Sequence, residues 1–147
     1  MHNERERDVV DNFREIARVH QLKITPQRMA IFKKLVSLEN HPTADSLYRE
    51  VREEFPNISF DTVNRTLITF SEAGIIDVVE DHGNQKRYDP NTSTHHHLHC
   101  INCGNIIDFQ DEKLDNIEIP QVIREQYRII SKRVVLKVLC TECTGQR

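Results

Sequence analysis

Apolar residues recur every three or four positions through the first half of the chain. Between residues 4 and 20 they alternate with charged residues at this spacing, which predicts an amphipathic helix. Three further stretches of the same kind begin at Thr25, Thr43 and Ser59, whose hydroxyl groups are suited to cap a helix N-terminus. Gly74 follows the last of these stretches and is typical of a helix end. The pattern therefore predicts four helices.

Short strand-like runs replace the helical spacing after Gly74. Residues 75–79 and 86–88 form two such runs, and the turn-forming residues 81–84 between them indicate a hairpin. Helices followed by a hairpin in this order are typical of a winged helix-turn-helix. On the face opposite its apolar residues, the fourth helix carries Thr62, Arg65, Thr66 and Thr69. Such a face either hydrogen-bonds to DNA base edges and phosphates or is simply solvated, and the pattern favours neither interpretation.

The second half of the chain follows a polar, turn-rich segment and predicts a small α/β unit. Its strands are predicted at 95–100, 106–109 and 127–140, with a short helix at 120–126. A unit of about 50 residues has too small a core to be secure alone, so we expect a bound metal or dimerisation to stabilise it. The predicted α+β organisation is a winged-helix DNA-binding domain at 1–88, a hinge at 89–94 and a dimerisation and metal-binding domain at 95–147.

Composition narrows the class of protein without naming a partner. The 147 residues are 37% hydrophobic and 29% charged, as in soluble globular chains. The net charge of −3 means that any DNA contact must come from a local face. No apolar run is long enough to cross a bilayer, and the polar N-terminus lacks the apolar core of a signal peptide. We therefore expect a cytoplasmic protein whose thiols stay reduced.

All four cysteines fall in two Cys-x-x-Cys pairs, Cys100 with Cys103 and Cys140 with Cys143. Two separated pairs fit a closed, tetrahedral four-thiolate zinc site. The rival interpretations are a redox dithiol, two structural disulfides and four unrelated thiols. A thioredoxin-like dithiol needs a βαβ context that is absent here, and a reducing compartment disfavours disulfides. The spacing and the expected compartment therefore favour structural zinc.

A dense histidine run, residues 95–99, precedes the first cysteine pair. In a strand alternate residues share a face, so His95, His97 and His99 point one way and His96 points the other. A single histidine on a strand is usually just solvated, but this density favours a metal site. Further ligands are offered by His41, Asp89 and Asp108. Histidine with carboxylate suits Fe(II), Mn(II) or Zn(II) and does not separate them.

Eight short motifs follow one another along the chain in a specific order. They are Thr25-Pro26-Gln27-Arg28, His41-Pro42-Thr43-Ala44-Asp45, Thr62-Val63-x-Arg65-Thr66-Leu67, Gly74-Ile75-Ile76, Arg87-Tyr88-Asp89, His95-His96-His97, Cys100-x-x-Cys103-Gly104 and Cys140-x-x-Cys143. Each motif is weak alone, but in this order they resemble the ferric uptake regulator (Fur) family of metal-dependent bacterial repressors, over nearly the whole chain.

The resemblance implies a homodimeric winged-helix repressor of operator DNA with structural zinc on the four cysteines. It implies a regulatory Fe(II) or Mn(II) ion on His41, Asp89, His95, His97 and Asp108. DNA contacts are predicted from placement, Arg28 at the capped start of the second helix and Thr62, Asn64 and Arg65 on the fourth. The family commonly has tyrosine at the position of Asn64, so its base preference does not carry over to this chain.

Two carboxylates relate the chain to one branch of the family. Iron-sensing members usually carry glutamate at the position of Asp108, whereas the peroxide-sensing PerR branch has aspartate there and at Asp89. In that branch bound Fe(II) reacts with hydrogen peroxide and a ligand histidine is oxidised. The matching positions here are His41 and His95. We therefore expect a peroxide-responsive regulator under oxidative stress, with an iron-responsive repressor of iron uptake genes as the alternative.

Other positions and other functions fit less well. Some Fur proteins have a third metal site, whose positions here are Thr94, His96 and Lys132, a poor ligand set. Zinc sensors of the family usually use a further cysteine, and none remains here. A zinc deaminase needs an open metal position and a His-x-Glu arrangement, which residues 95–99 lack. A metal buffer would not need a helix-turn-helix. We therefore expect a regulator and not an enzyme.

Overall fold

The computed structural model describes residues 2–80, 85–129 and 131–145, so the predicted turn at 81–84 lies outside the described residues. The chain separates into two compact units, Met1–Thr92 and Ser93–Arg147. The hinge at 89–94 stays a prediction. Among the described residues, no helix combines the length and apolar character needed to cross a membrane.

The first unit has four helices and a two-stranded antiparallel sheet. The helices are α1 (His2–Val19), α2 (Pro26–Ser37), α3 (Ala44–Val51) and α4 (Phe60–Glu72), and the strands are β1 (Asp77–Glu80) and β2 (Lys86–Asp89). Helices and hairpin in this order form the predicted winged helix-turn-helix. Stacked and edge-on contacts among Phe13, Phe32 and Phe70 lie in its hydrophobic core, with ring centroids 4.2–6.3 Å apart.

The predicted helix caps are confirmed. The side-chain oxygens of Thr25, Thr43 and Ser59 each accept a hydrogen bond from the backbone N–H three residues later, at 3.2, 3.2 and 3.0 Å. Gly74 follows α4 with φ of 74°, a left-handed conformation that favours glycine. The first predicted strand is shifted, because Ile75 and Ile76 are buried in the core and Ile75 N–H bonds to Phe70 O instead of a ladder partner.

The second unit is built on a three-stranded sheet of order β4-β3-β5. Strand β3 (His96–Cys100) pairs antiparallel with β4 (Ile106–Phe109) and parallel with β5 (Val135–Val138). Three short helices complete it: α5 (Glu112–Asp115), α6 (Gln121–Gln126) and α7 (Thr141–Thr144). The predicted helix at 120–126 is confirmed as α6, which follows Pro120.

The predicted strand at 127–140 is too long. The apolar run extends over the predicted range, but a strand forms only where it has a partner. Residues 97–100 of β3 pair with residues 135–138. Helices α5 and α7 were not predicted. The side chain of Asp111 caps α5 by accepting a hydrogen bond from Leu114 N–H at 3.0 Å. One-turn helices of this kind have too few residues to show a periodic apolar pattern.

Candidate metal centres and nucleic-acid interface

The four cysteines converge at one end of the sheet in the second unit. Cys100 ends β3, Cys103 follows in the turn to β4, and Cys140 and Cys143 lie at the start and within α7. Their Sγ atoms all lie within 4.8 Å of one another, and Cys103 and Cys140 are 3.8 Å apart. A tetrahedral ion with bonds of about 2.3 Å places sulfurs about 3.8 Å apart. The arrangement therefore fits the predicted structural zinc site.

The groups around the sulfurs shift the pKa of Cys100 down and that of Cys143 up. Backbone N–H groups, first that of Cys103 and then that of Cys140, lower the pKa of Cys100 to about 6. The amide of Asn102 donates to Cys143 Sγ at 3.3 Å and lowers its pKa, but the neighbouring thiols, Cys140 first, outweigh it and raise the pKa to about 12. Four thiolates this close need a cation to neutralise them, so zinc binding must displace protons.

Two predicted ligands of the regulatory metal meet in the first unit, and we call them the amino-terminal pair. His41 lies between α2 and α3, and Asp89 ends β2. His41 Nε2 lies 3.2 Å from Asp89 Oδ2, and the other carboxylate oxygen accepts a hydrogen bond from Asn91 N–H at 2.9 Å. One imidazole nitrogen and one carboxylate oxygen therefore face each other with the carboxylate held in place.

The other three predicted ligands meet in the second unit, and we call them the carboxy-terminal cluster. Strand register sets His97 opposite Asp108, with His97 Nε2 3.1 Å from Asp108 Oδ1. His95 Nε2 lies 3.1 Å from His97 Nε2 and 3.8 Å from the same carboxylate oxygen. His95 Nδ1 lies 2.7 Å from Ser93 O, an acceptor, so Nδ1 carries the proton and the Nε2 lone pair faces the cluster.

His96 points away from this cluster, as the strand alternation predicts. Val134 N–H donates to its Nδ1 at 3.1 Å, so Nε2 carries the proton and donates to Asp115 Oδ1 at 2.6 Å. Of the other two positions of the third family site, Lys132 Nζ donates to Ile117 O at 3.4 Å. Both ring nitrogens of His96 are thus committed to the fold, and no lone pair of this ring is available to a metal.

The predicted DNA-contacting residues lie on α2 and α4. Arg28, Thr62 and Arg65 share a groove of about 430 Å³ whose other lining residues are Lys23, Thr25, Gln27, Thr66 and Thr69. Arg65 is exposed and its Nε lies 2.9 Å from Asp61 one turn earlier. Thr66 departs from the predicted polar face: it is buried, and its hydroxyl donates to Thr62 O at 2.7 Å. The groove therefore exposes cations and hydroxyl groups on a helix face.

Comparison with known proteins assigns the chain to a family. The model of the ferric uptake regulator family matches residues 19–137. The chain belongs to this family. This Fur-family chain is 37% identical over 122 residues to the peroxide-responsive repressor PerR of Staphylococcus aureus, an alignment that covers 83% of this chain and 82% of the relative.

Solved structures support the same assignment. The Helicobacter pylori ferric uptake regulator Fur, described as having three functional metal binding sites, superposes with a TM-score of 0.76 at 26% identity, covering 95% of this chain and 93% of that one. The Campylobacter jejuni peroxide stress regulator superposes with a TM-score of 0.68 at 30% identity, covering 88% and 97%. The predicted α+β fold, with its winged helix-turn-helix and its α/β domain carrying a four-cysteine zinc site, is thereby confirmed for this Fur-family chain.

Sequence reasoning missed two residues that hold histidines of the quoted motifs in place. Asp115 fixes the ring of His96, and the guanidinium of Arg87 donates to the carbonyl oxygens of Asn40 and His41. Asp115 carried a weak signal, since it lies five residues before Pro120 in a stretch without strand pattern. Arg87 carried one only as part of the Arg87-Tyr88-Asp89 motif.

Proposed function

We propose that this member of the ferric uptake regulator family, a metal-dependent repressor, responds to peroxide and acts in the cytoplasm. The observation that carries the proposal is the donor set: a histidine–carboxylate pair in one unit and a two-histidine–carboxylate cluster in the other. Two carboxylates neutralise a dication, and three imidazoles complete a mixed nitrogen and oxygen sphere that suits Fe(II) or Mn(II). Bound Fe(II) would supply reactivity with peroxide, which Mn(II) would not.

The position of the donors along the chain supports a role in switching. His41 and Asp89 belong to the winged-helix unit, whereas His95, His97 and Asp108 belong to the other. Neither group alone offers enough ligands for an ion of this kind, so we propose that one ion uses both. Such an ion would set the angle between the units and thereby match a dimer to its DNA half-sites.

The alternative within the family is an iron-responsive repressor of iron uptake genes. The structural similarity to the Helicobacter pylori ferric uptake regulator supports this alternative. Aspartate at position 108, together with the 37% identity to a peroxide-responsive repressor, favours the peroxide response. The two functions share the same ligands and differ in the fate of the ligand histidines, which is what separates them experimentally.

Operator DNA is the proposed partner of the groove on α2 and α4. We expect Arg65→Ala and Arg28→Ala each to weaken binding to a duplex that the wild-type protein selects from random-sequence DNA. A lost base contact costs about 1–3 kcal/mol, or roughly 5- to 150-fold in dissociation constant, whereas a lost phosphate contact weakens binding to all sequences alike. Fluorescence anisotropy at fixed salt and saturating Mn(II) measures this loss, while calorimetry should show unchanged Mn(II) affinity.

Arg18→Ala is the matched control for the groove variants. Arg18 is exposed on α1 and pairs with Glu15 at 2.6 Å, much as Arg65 pairs with Asp61. Loss of such an exposed pair has little effect on stability. The control should bind DNA like the wild type, and equal affinity of all three variants would remove this groove from the proposed interface.

A second copy of the chain is the proposed partner of the second unit. Large apolar side chains remain exposed on this small unit: Ile101, Ile107, Ile117, Val122, Ile123, Tyr127, Ile129, Val135, Leu136 and Leu139. Strand β5 lies at the edge of the sheet and is mostly exposed. So much apolar surface is typical of an interface that another subunit covers. We propose that the homodimer forms through this surface.

Val122→Glu is expected to shift the protein from dimer to monomer. Val122 is 63% exposed near the start of α6, where glutamate is favourable for an isolated helix, so the monomer should fold normally. Burying the new carboxylate in an interface should raise the dimer dissociation constant by on the order of 100-fold, equivalent to about 3 kcal/mol. Sedimentation equilibrium measures the shift. Gln110→Glu adds the same charge at an exposed residue outside α6 and should stay dimeric; a dimeric Val122→Glu protein would place the interface elsewhere.

A further inference from the structure

His41 has a backbone conformation that its side chain does not favour. Its φ is 51°, in the left-handed region, where the Cβ of a non-glycine residue crowds the following carbonyl oxygen. Among the described residues other than glycine, only Gln21 shares a positive φ, at 53°. Such a conformation persists when surrounding contacts hold it in place. The contacts that hold His41 therefore decide where its imidazole points.

The guanidinium of Arg87 supplies those contacts. Its Nε donates to His41 O at 2.7 Å and its Nη2 donates to Asn40 O at 2.6 Å. Tyr88 N–H donates to Pro42 O at 3.0 Å, which ties the next carbonyl to the same strand. One planar fork thus engages two consecutive carbonyl oxygens at the residue with positive φ. Lysine cannot reproduce this, because an ammonium group lacks the fixed pair of donors.

Strand β2 carries both Arg87, whose two hydrogen bonds to the carbonyl oxygens of Asn40 and His41 we call the clamp, and the carboxylate of Asp89. Arg87 and Asp89 are two residues apart on β2, so their side chains share a face of the strand. Asp89 contacts the imidazole of His41, and Arg87 donates to its main chain. Both contacts lie within the first unit of the fold. Strand β2 therefore fixes the separation and orientation of the amino-terminal pair.

We propose that Arg87 is a positioning residue for the regulatory metal, which holds His41 in the left-handed conformation that aims its imidazole at Asp89. The inference rests on the proposed function in so far as His41 is a metal ligand. Its first consequence concerns the protein without regulatory metal. Releasing the two carbonyl oxygens lets residues 40 and 41 relax, so the imidazole leaves Asp89. Its second consequence is weaker metal binding, because the ligand must then be reoriented on binding.

The test uses the zinc-loaded full-length protein and the variants Arg87→Ala and Arg87→Lys. Calorimetric titration with Mn(II) should show binding weakened by about 10- to 100-fold, the usual effect of removing a group that orients a ligand. NMR of the protein without Mn(II) should show changed backbone carbon shifts at Asn40 and His41 in both variants. Zinc content and the melting of the second unit should stay at the wild-type level. Lys86→Ala, which removes the adjacent exposed cation of β2, should match the wild type in every measurement.

These measurements distinguish a positioning role of Arg87 from a direct DNA contact by Arg87. They also distinguish both from a failure of the proposed function. At saturating Mn(II) the Arg87 variants should regain wild-type DNA affinity. Reduced DNA affinity at saturating Mn(II), with unchanged Mn(II) affinity, would make Arg87 a DNA contact and overturn the proposal. Unchanged shifts at His41 in both variants would overturn it as well. Absence of Mn(II) binding by the wild type would instead contradict the proposed function, and the NMR comparison would still test the clamp.

Discussion

Replacing Cys100 with serine is expected to release the structural zinc and unfold the second unit. Its hydrophobic core is small and much apolar surface stays exposed, so the ion must supply a large part of the folding free energy. Structural zinc contributes on the order of 10 kcal/mol or more. Zinc content by atomic emission and thermal melting by circular dichroism measure the two effects, and Cys140→Ser should behave in the same way.

Thr141→Ser is the matched control for the cysteine variants. Thr141 is exposed between two ligands at the start of α7, so the substitution changes the same segment and leaves all four sulfurs in place. The control should keep its zinc and melt like the wild type. A Cys100→Ser protein that also keeps its zinc, its dimeric state and its melting temperature would show that the four cysteines do not stabilise this unit.

Treating the iron-loaded protein with hydrogen peroxide is expected to oxidise one ligand histidine and abolish DNA binding. The imidazole carbon exchanges its hydrogen for a hydroxyl group, the peroxide is reduced to water, and the residue gains one oxygen atom. The altered ring is a poorer ligand, so on the proposed function the ion is lost and no longer sets the angle between the two units. Peptide mass spectrometry should find one added oxygen on the peptide of His41 or of His95.

The manganese-loaded protein is the control for this oxidation. Treated with equal peroxide, it should keep intact histidines and bind DNA as before, because Mn(II) supports the same ligand sphere without driving the reaction. The hydrogen bond from His95 Nδ1 to Ser93 O turns the Nε2 lone pair toward the proposed ligand cluster, and His41 Nε2 faces the proposed ligand Asp89. Intact histidines in the iron-loaded protein would favour the iron-responsive alternative.

Patterns that depend on a single element were predictable from the sequence. Hydroxyl residues before apolar periodicity located the starts of α2, α3 and α4, and strand alternation separated His95 and His97 from His96. These features follow from local geometry, which a sequence expresses directly. The four-cysteine cluster joins two distant segments, but it too was predictable, because paired thiolates at this spacing in a reducing compartment favour a zinc site.

Other features that depend on a distant partner were not predictable. Strand β5 is shorter than its apolar run because β3 limits the ladder, and Thr66 is buried although its spacing placed it on the polar face. Arg87 was part of a motif, but its hydrogen bonds to the carbonyl oxygens of residues 40 and 41 need a chain reversal across more than 40 residues. Nothing in the local sequence of Arg87 distinguishes this role from that of a surface cation.

Metal bound at the five proposed ligands should control DNA binding. The most direct measurement is the affinity of the zinc-loaded protein for its selected duplex with and without Mn(II), by fluorescence anisotropy, in the wild type and in Asp108→Ala. We predict that Mn(II) tightens wild-type binding by about 5- to 150-fold, the usual range of coupling between two sites, and has little effect on Asp108→Ala. Equal wild-type affinity with and without Mn(II), at concentrations at which calorimetry shows the ion bound, would contradict the account.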